Sequence, residues 1–234
     1  MKDRVSIELK DGVADVKLIR ADKMNALDEA MFDGLVEAGD KLMTMKGLRA
    51  VVLSGEGRAF CAGLDMGRFE AMKTQGAALQ GTRDLRSRTH GPANKPQWAA
   101  WVWRELPVPV IAAVHGVALG GGFQLALGAD MRYATADCKM SILEIRWGLV
   151  PDVAGTQIMR HLAREDIVRE LTYTGRIFTG QEAFQYGFVT RVEADPYAAA
   201  MEMAREIAGK NPHAVRAAKR LLNLAVVTDV QTGL

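Results

Sequence analysis

Cysteine and histidine are scarce in this chain of 234 residues, and neither occurs in a pattern that builds a metal site. The two cysteines, Cys61 and Cys138, are too few for a disulfide framework and do not form a CxxC pair. The four histidines are scattered, and no HExxH motif is present. We therefore predict that the protein has no structural or catalytic metal.

The sequence also lacks an excess of charge of either sign, since its net charge is +2 and its basic residues are spread along the chain. This charge gives a nucleic acid little to bind, so we predict no nucleic-acid partner. The first residues contain no apolar segment of a signal peptide, and their acidic residues argue against a mitochondrial transit peptide. We expect a cytoplasmic protein.

One stretch, residues 108–129, lacks charged residues altogether and has the length of a membrane span. It contains Pro109, His115, Gln124 and five glycines, three of them consecutive. A buried strand that runs into a buried helix explains this composition better than a membrane helix does. We therefore predict no membrane segment.

Motifs of nucleotide-binding proteins and of serine hydrolases are absent as well. Gly55 and Gly57 follow an apolar strand, but Phe60 stands where the third glycine of a GxGxxG motif is required. No Lys-Ser/Thr pair of a P-loop and no GxSxG motif occurs. These absences exclude an α/β-hydrolase serine on motif grounds and leave the glycine-rich turns without a nucleotide function.

The apolar residues that are present predict a mixed α/β protein. Val5, Ile7 and Leu9 alternate with polar residues, as in a half-buried strand, and Asp11-Gly12 suits a type I′ hairpin turn. Further short strands are predicted near residues 14–18, 49–53, 110–114, 131–136, 139–142 and 188–193.

Helices are predicted from apolar spacings of three and four and from capping residues. The first begins behind Asn25 and ends at Gly47, and another starts in the glycines at 120–122. After Pro151 helices dominate, at about 153–162, 164–173, 180–186, 196–209 and 212–227. The character changes near residue 194, so we predict a core over 1–194 and a C-terminal helical region over 195–234.

Two strand-to-turn junctions have the composition of a site that uses backbone N–H groups. One is Ala59-Phe60-Cys61-Ala62-Gly63-Leu64-Asp65, and the other is Leu119-Gly120-Gly121-Gly122-Phe123. Glycine lets a ligand approach the main chain closely, and the second junction opens a helix whose first amides favour negative charge. Taken singly, each junction is better explained as a tight turn where backbone crosses backbone.

Together with their flanking strands, these junctions resemble the two oxyanion segments of the crotonase (enoyl-CoA hydratase/isomerase) superfamily. Residues 20–27, 155–157 and 174–183 fit the same family in order, so the resemblance covers most of the chain from residue 5 to about 190. It implies a crotonase-like spiral of ββα repeats. It also implies a C-terminal helical region that builds homotrimers, often paired as dimers of trimers.

The resemblance implies an acyl-CoA thioester as substrate. The backbone N–H groups of Ala62 and Gly121 would then hold the thioester oxygen while the substrate becomes an enolate. Each such donor can contribute roughly 3–4 kcal/mol to the transition state. Coenzyme A enters as part of the substrate, and no other cofactor is implied.

Candidate proton-transfer groups follow from the same resemblance. Enoyl-CoA hydratases carry two glutamates, and Gln124 stands in the first place, where an amide can orient substrate or water but cannot accept a proton. Glu144 matches the second. Asp152 lies eight residues further on, as in dienoyl-CoA isomerases, although an aspartate there is also a common helix N-cap.

The hypothesis is therefore that Glu144 and Asp152 move protons while a C=C bond is shifted, with an isomerase of dienoyl-CoA type slightly favoured. Three alternatives stay open: a plain 2-enoyl-CoA hydratase, a catalytically idle relative that binds acyl-CoA or RNA, and a purely structural oligomer-forming protein. Residues 66–106 are expected to shape the acyl pocket, with Trp98, Trp101 and Trp103 as candidate liners. The C-terminal helical region is expected to be incomplete at Leu234.

Overall fold

The computed structural model describes residue 1 and residues 3–67 and 86–234, which form two β-sheets surrounded by helices. The strands are Val5–Lys10 (β1), Val13–Leu18 (β2), Ala50–Gly55 (β3), Val110–Val114 (β4), Val117–Leu119 (β5), Met131–Ala134 (β6), Lys139–Ser141 (β7), Phe178–Thr179 (β8) and Arg191–Val192 (β9). The α-helices are Glu29–Met43, Lys95–Glu105, Gly121–Leu127, Gly155–Met159, Glu165–Thr174, Gly180–Tyr186, Pro196–Ala208, Pro212–Ala225 and Val230–Gly233.

The chain opens with the predicted hairpin. Strands β1 and β2 are antiparallel, and Lys10 pairs with Val13 across the turn. Asp11 and Gly12 have φ angles of 51° and 81°, as a type I′ turn requires. This part of the prediction is confirmed residue by residue.

The larger sheet has the strand order β1-β2-β3-β4-β6-β9, and every pair after the hairpin is parallel. Alternate residues of its central strands belong to two separate apolar clusters. In β3, Val51 and Leu53 face one cluster while Ala50 and Val52 face the other. Both faces of these strands are therefore buried, which is why their sequences are continuous apolar runs.

A smaller sheet, in the order β5-β7-β8, lies beyond the end of β4. Its first strand, Val117–Leu119, was not predicted, because three residues are too few to show a period in the sequence. This strand connects β4 to the glycines that open the helix Gly121–Leu127. It thus sets the direction in which the second junction leaves the sheet.

The predicted start of the first long helix was wrong by three residues. Asp28 is the N-cap and accepts a hydrogen bond from the Met31 N–H, whereas Asn25 is fully buried with φ at 56°. The Asn25 amide instead donates to the Glu56 and Ala59 carbonyl oxygens, at 3.0 and 2.9 Å. Asn25 therefore ties the turn before the helix to the first glycine-rich junction.

The helices after residue 194 begin close to where they were predicted. Pro196–Ala208 packs on the larger sheet through Ala200 and Ala204, which lie in the second apolar cluster. Pro212–Ala225 is held at its middle by Lys219, whose Nζ lies 2.8 Å from an Asp130 carboxylate oxygen. The division at residue 194 stays a prediction, and the first helix beyond it shares the core of the sheet.

No helix within the described residues is both long enough and apolar enough to cross a bilayer. The uncharged stretch 108–129 forms strand β4, strand β5 and the helix Gly121–Leu127. This is the strand-then-helix arrangement that its composition predicted.

Candidate functional site

The two glycine-rich junctions lie side by side and are joined by main-chain hydrogen bonds. The Cys61 N–H donates to the Val117 carbonyl oxygen at 3.0 Å, and the Leu119 N–H donates to the Cys61 carbonyl oxygen at 3.1 Å. Cys61 and Ala118 form an isolated parallel bridge between these bonds. Two segments almost sixty residues apart in sequence are thus held in one register.

Their approach is close enough to require glycine at position 63. A Cβ built on Gly63, whose φ is +87°, would lie 2.5 Å from the Leu119 carbonyl oxygen. The same point lies 3.8 Å from the Gly121 amide nitrogen. The two junctions, which the family resemblance assigns to one site, therefore lie next to each other in the structure.

The two candidate amides differ in what they contact. Gly121 is the first residue of its helix, so its N–H has no acceptor within that helix. The Ala62 N–H, which was expected to be exposed, donates instead to the Met24 carbonyl oxygen at 2.9 Å. Met24 and Asn25 both have positive φ angles, and this left-handed turn directs the carbonyl at the junction.

A cleft of about 640 Å³ opens over these amides. The charged residues of its lining are Arg20, Asp22 and Lys23 before the first helix, Asp65 at the end of the first junction, and Glu144. The lining residues are Arg20, Asp22, Lys23, Met24, Ala26, Ala62, Gly63, Leu64, Asp65, Met66, Gly67, Leu119, Gly120, Gly121, Leu143, Glu144, Trp147 and Leu149. Ala62, Gly121 and Glu144, which the sequence singled out separately, therefore share one cavity.

Glu144 begins a short 3-10 helix, Glu144–Trp147, that the sequence analysis missed. Its side chain is 8% exposed and one carboxylate oxygen, Oε1, accepts a hydrogen bond from Gln124 Nε2 at 2.6 Å. The other oxygen, Oε2, is buried and has no hydrogen-bond partner within the described residues. Glu144 thus holds Oε1, the oxygen bonded to Gln124, beside Gly120, and keeps Oε2 buried without a partner among the described residues.

The surroundings of Glu144 favour its protonated form. Burial raises the pKa of Glu144, and the negative charge of Asp152 raises it further. The hydrogen bond from Gln124 acts in the opposite direction, because its donor stabilises the carboxylate. A carboxyl group with a raised pKa in a cleft suits proton transfer near neutral pH.

Gln124 is fully buried and is not among the residues that line the cleft. Its amide oxygen accepts hydrogen bonds from the Val153 and Gly155 N–H groups, at 2.9 and 2.8 Å. Its amide nitrogen is bonded to Glu144. Both ends of the Gln124 amide are therefore bonded to protein groups, and its contact with substrate or water stays a prediction.

Asp152 is exposed and lines a second cavity of about 550 Å³, next to Pro151 and Trp101. It is not a helix N-cap, since that place before Gly155–Met159 is held by Ala154. Its charge is close enough to affect the pKa of Glu144. The two carboxylates therefore belong to neighbouring cavities separated by the segment 149–153.

Of the three tryptophans expected at the acyl pocket, Trp101 alone lines this second cavity. Trp103 is fully buried, and its indole N–H donates to the Ala99 carbonyl oxygen one helical turn earlier. The Trp98 indole N–H donates to Asp40. The rest of the predicted pocket region, residues 68–85, lies outside the described part of the chain.

No group of three or more histidine, cysteine, aspartate or glutamate side chains is placed to hold a metal ion within residues 3–67 and 86–234. The two cysteines are buried, and burial raises the pKa of both thiols to about 12. Neither thiol is therefore a thiolate nucleophile at neutral pH. That the protein needs no metal or cofactor stays a prediction.

Comparison with known proteins gives a consistent family. The model of the enoyl-CoA hydratase/isomerase family matches residues 8–234. The chain is 33% identical to the mitochondrial methylglutaconyl-CoA hydratase of Mus musculus, over 95% of this chain and 69% of the relative. It is 35% identical to the mitochondrial Delta(3,5)-Delta(2,4)-dienoyl-CoA isomerase of the same organism, over 93% of this chain and 67% of the relative.

The fold agrees with solved structures of the same family. An enoyl-CoA hydratase from Bacillus anthracis superposes with a TM-score of 0.86 at 30% identity, over 98% of this chain and 86% of that one. The predicted crotonase-like α/β fold is confirmed by this agreement. The trimer expected from the C-terminal helices stays a prediction.

The raised pKa of Glu144 has a consequence for stability. The pKa of Glu144 is higher in the folded than in the unfolded state. The ionised carboxylate therefore destabilises the fold at pH values above the folded-state pKa, and this effect is absent at pH values below the unfolded-state pKa. Glu144→Gln keeps an acceptor for Gln124 and removes the buried charge. We expect this variant to be more stable than the parent at mildly alkaline pH, by on the order of 1 kcal/mol.

The measurement is urea unfolding followed by circular dichroism across a pH series. The difference in the free energy of unfolding between the variant and the parent should shrink as the pH falls toward about 4, where the side chain at position 144 is neutral in both proteins. The exposed Glu202→Gln serves as the matched control and should show no such trend. A Glu144→Gln variant that is destabilised at every pH would contradict the assignment of a costly buried carboxylate.

Proposed function

We propose that this chain, which belongs to the enoyl-CoA hydratase/isomerase family, shifts a C=C bond of an acyl-CoA thioester through an enolate. The observation that carries this proposal is the shared cleft of Gly121, Ala62 and Glu144. It combines hydrogen-bond donors for a developing oxyanion with a carboxylate that has one unengaged oxygen. Acyl-CoA isomerisation requires both components close together, at the thioester carbonyl and at the carbon atom that loses its proton.

In this proposal the thioester oxygen accepts a hydrogen bond from the Gly121 N–H. The Ala62 N–H is the second donor and forms a three-centre bond that it shares with the Met24 carbonyl oxygen, an arrangement common among backbone amides. Negative charge that grows on the oxygen is stabilised by donors that are already in place. Each donor of this kind is worth about 3–4 kcal/mol in the transition state.

Glu144 is the proposed base. Its carboxylate, which lines the cleft, accepts a proton from the carbon chain, and the electron pair released enters the conjugated enolate. Asp152, which is exposed to solvent, then relays a proton to the carbon chain further along while the C=C bond moves. The substrate keeps its composition, and the site is reset when Glu144 releases its proton to solvent and Asp152 takes up another.

A plain hydratase is the second candidate, because one relative is a hydratase and another an isomerase at similar identity. Hydration requires a base that accepts a proton from water. Gln124 cannot do so, and its amide oxygen is already bonded to two backbone N–H groups. Hydration would therefore depend on Glu144 alone or on Asp152, and this favours the isomerase.

Replacement of Glu144 tests the assignment of the base. Glu144→Gln is expected to lower kcat by about 10²- to 10⁴-fold on every acyl-CoA that the parent converts, because the base is lost while the acceptor for Gln124 remains. The assay follows ultraviolet absorbance with a 3,5-dienoyl-CoA and a 2-enoyl-CoA in parallel. Unchanged turnover would remove Glu144 from the mechanism.

Asp152→Asn in the same two assays separates the candidate reactions. The isomerase proposal expects loss with the dienoyl-CoA substrate, and the matched exposed change Glu170→Gln should leave both rates unchanged. Conversion of the 2-enoyl-CoA alone, with Asp152→Asn fully active, would establish the hydratase instead. Tight binding of RNA without turnover of any acyl-CoA would support the idle relative.

We also propose that the protein assembles as a homotrimer or a dimer of trimers. Large apolar side chains are exposed along and beyond the helix Pro212–Ala225, as expected for a surface that another copy covers. They are Leu221, Leu222, Leu224, Val226, Val227 and Val230. A protein that served only to form a structural oligomer would have no need of the cleft over Gly121.

The assembly is tested by light scattering coupled to size-exclusion chromatography. We expect a mass of three or six times the 25.5 kDa chain. Leu222→Asp, at a side chain that is 70% exposed, should shift the distribution toward smaller species, whereas Gln181→Asp on a separate exposed helix should not. A monomer at micromolar concentration would contradict the proposal.

A further inference from the structure

We propose that Gln124 is a positioning residue that holds Glu144 through its amide nitrogen and the 153–155 turn through its amide oxygen, and so fixes the two candidate proton carriers relative to each other. The inference deepens the proposed function and rests on it for the catalytic consequence. Its structural part rests on three hydrogen bonds alone.

The orientation of the Gln124 amide is determined by its neighbours. Two backbone N–H groups, of Val153 and Gly155, point at one side-chain atom, and only an acceptor can satisfy both. That atom is therefore the oxygen. The nitrogen must then face Glu144, to which it donates at 2.6 Å.

Among side chains of this length, only the amide keeps an acceptor on one branch and a donor on the other at every pH. Glutamate would keep the acceptor for the two N–H groups but would bring no donor to Glu144. Methionine would fill the space and lose all three hydrogen bonds, in a place with no exposure to water. The three hydrogen bonds at position 124 therefore require an amide side chain, and not merely an uncharged one in place of a glutamate.

The turn that Gln124 holds carries Asp152. Val153, whose N–H is bound, follows Asp152 directly in the chain. The contact at Gly155 is so close that a Cβ there would lie 2.5 Å from the Gln124 oxygen. One buried amide therefore determines where the backbone of Asp152 lies with respect to the carboxylate of Glu144.

The charge around Glu144 makes the donor important. Asp152 acts on Glu144 from the second cavity, while Arg20, Asp22, Lys23 and Asp65 lie across the cleft. Gln124 contributes no charge of its own and stabilises the ionised form of Glu144 by a hydrogen bond. A glutamate at 124, ionised because two N–H groups bind it, would repel that form and leave Glu144 protonated.

The experiment compares Gln124→Glu with Gln124→Met and with the exposed Gln181→Glu as a matched control. The first readout is the titration of the Glu144 carboxyl carbon by ¹³C NMR without substrate, with the signal assigned by its loss in Glu144→Gln. We expect the titration midpoint to move to higher pH in Gln124→Glu. Gln181→Glu should leave it where it is in the parent.

The second readout is the pH dependence of kcat on the substrate that the parent converts. The acidic limb should move to higher pH in Gln124→Glu, and activity lost at neutral pH should return as the pH rises. In Gln124→Met, which breaks the link to the 153–155 turn, kcat should fall at every pH without recovery. Loss of folding in a variant at position 124 would lower its kcat without recovery at higher pH, and it would also appear in circular dichroism.

An unchanged NMR midpoint in Gln124→Glu would overturn the positioning role, whatever the activity does. If the midpoint moves but Glu144→Gln remains active, the positioning role stands and the proposed base is wrong. The two failures are therefore distinguishable in the same set of variants.

Discussion

The arrangement depends on the backbone pairing between residues 61 and 117–119. Two hydrogen bonds of 3.0 and 3.1 Å hold the end of one strand connection against the start of another. The pairing places Gly63 beside the Leu119–Gly121 backbone, and residues of both segments line the cleft over Gly121. In the proposed function main-chain groups carry the recognition, and the close approach at Gly63 leaves no room for a side chain there.

A buried polar network is built behind the cleft. Glu144, Gln124 and the N–H groups of the 153–155 turn are connected by three hydrogen bonds in an interior that raises the pKa of Glu144. Only the Glu144 Oε2 atom in this network lacks a partner within the described residues. A buried carboxylate oxygen without a hydrogen-bond partner lowers the stability of the fold, and a catalytic role of Glu144 would explain why it is kept.

Much of the fold was predictable because its signals are local. The hairpin at Asp11-Gly12, the capping box of Thr179 and Glu182, and the apolar runs of β3 and β4 each determine a structure within a few residues. What could not be predicted depends on distant partners. Asn25 has the sequence position of a helix cap, but its amide donates to carbonyl oxygens about thirty residues away. The Met24 carbonyl oxygen accepts a hydrogen bond from the Ala62 N–H because of a left-handed turn that no sequence period predicts. The contacts of Gln124 with Glu144 and residues 153–155 are of the same kind.

The proposed function requires that the junction amides polarise a thioester carbonyl in the cleft. Infrared difference spectroscopy of an acyl-CoA labelled with ¹³C at the thioester carbon, bound to the inactive Glu144→Gln variant, measures this polarisation directly. We expect a carbonyl band at distinctly lower frequency than that of the same thioester in water, because hydrogen bonds from Gly121 and Ala62 weaken the C=O bond. A band at the frequency found in water, with the ligand demonstrably bound, would contradict it.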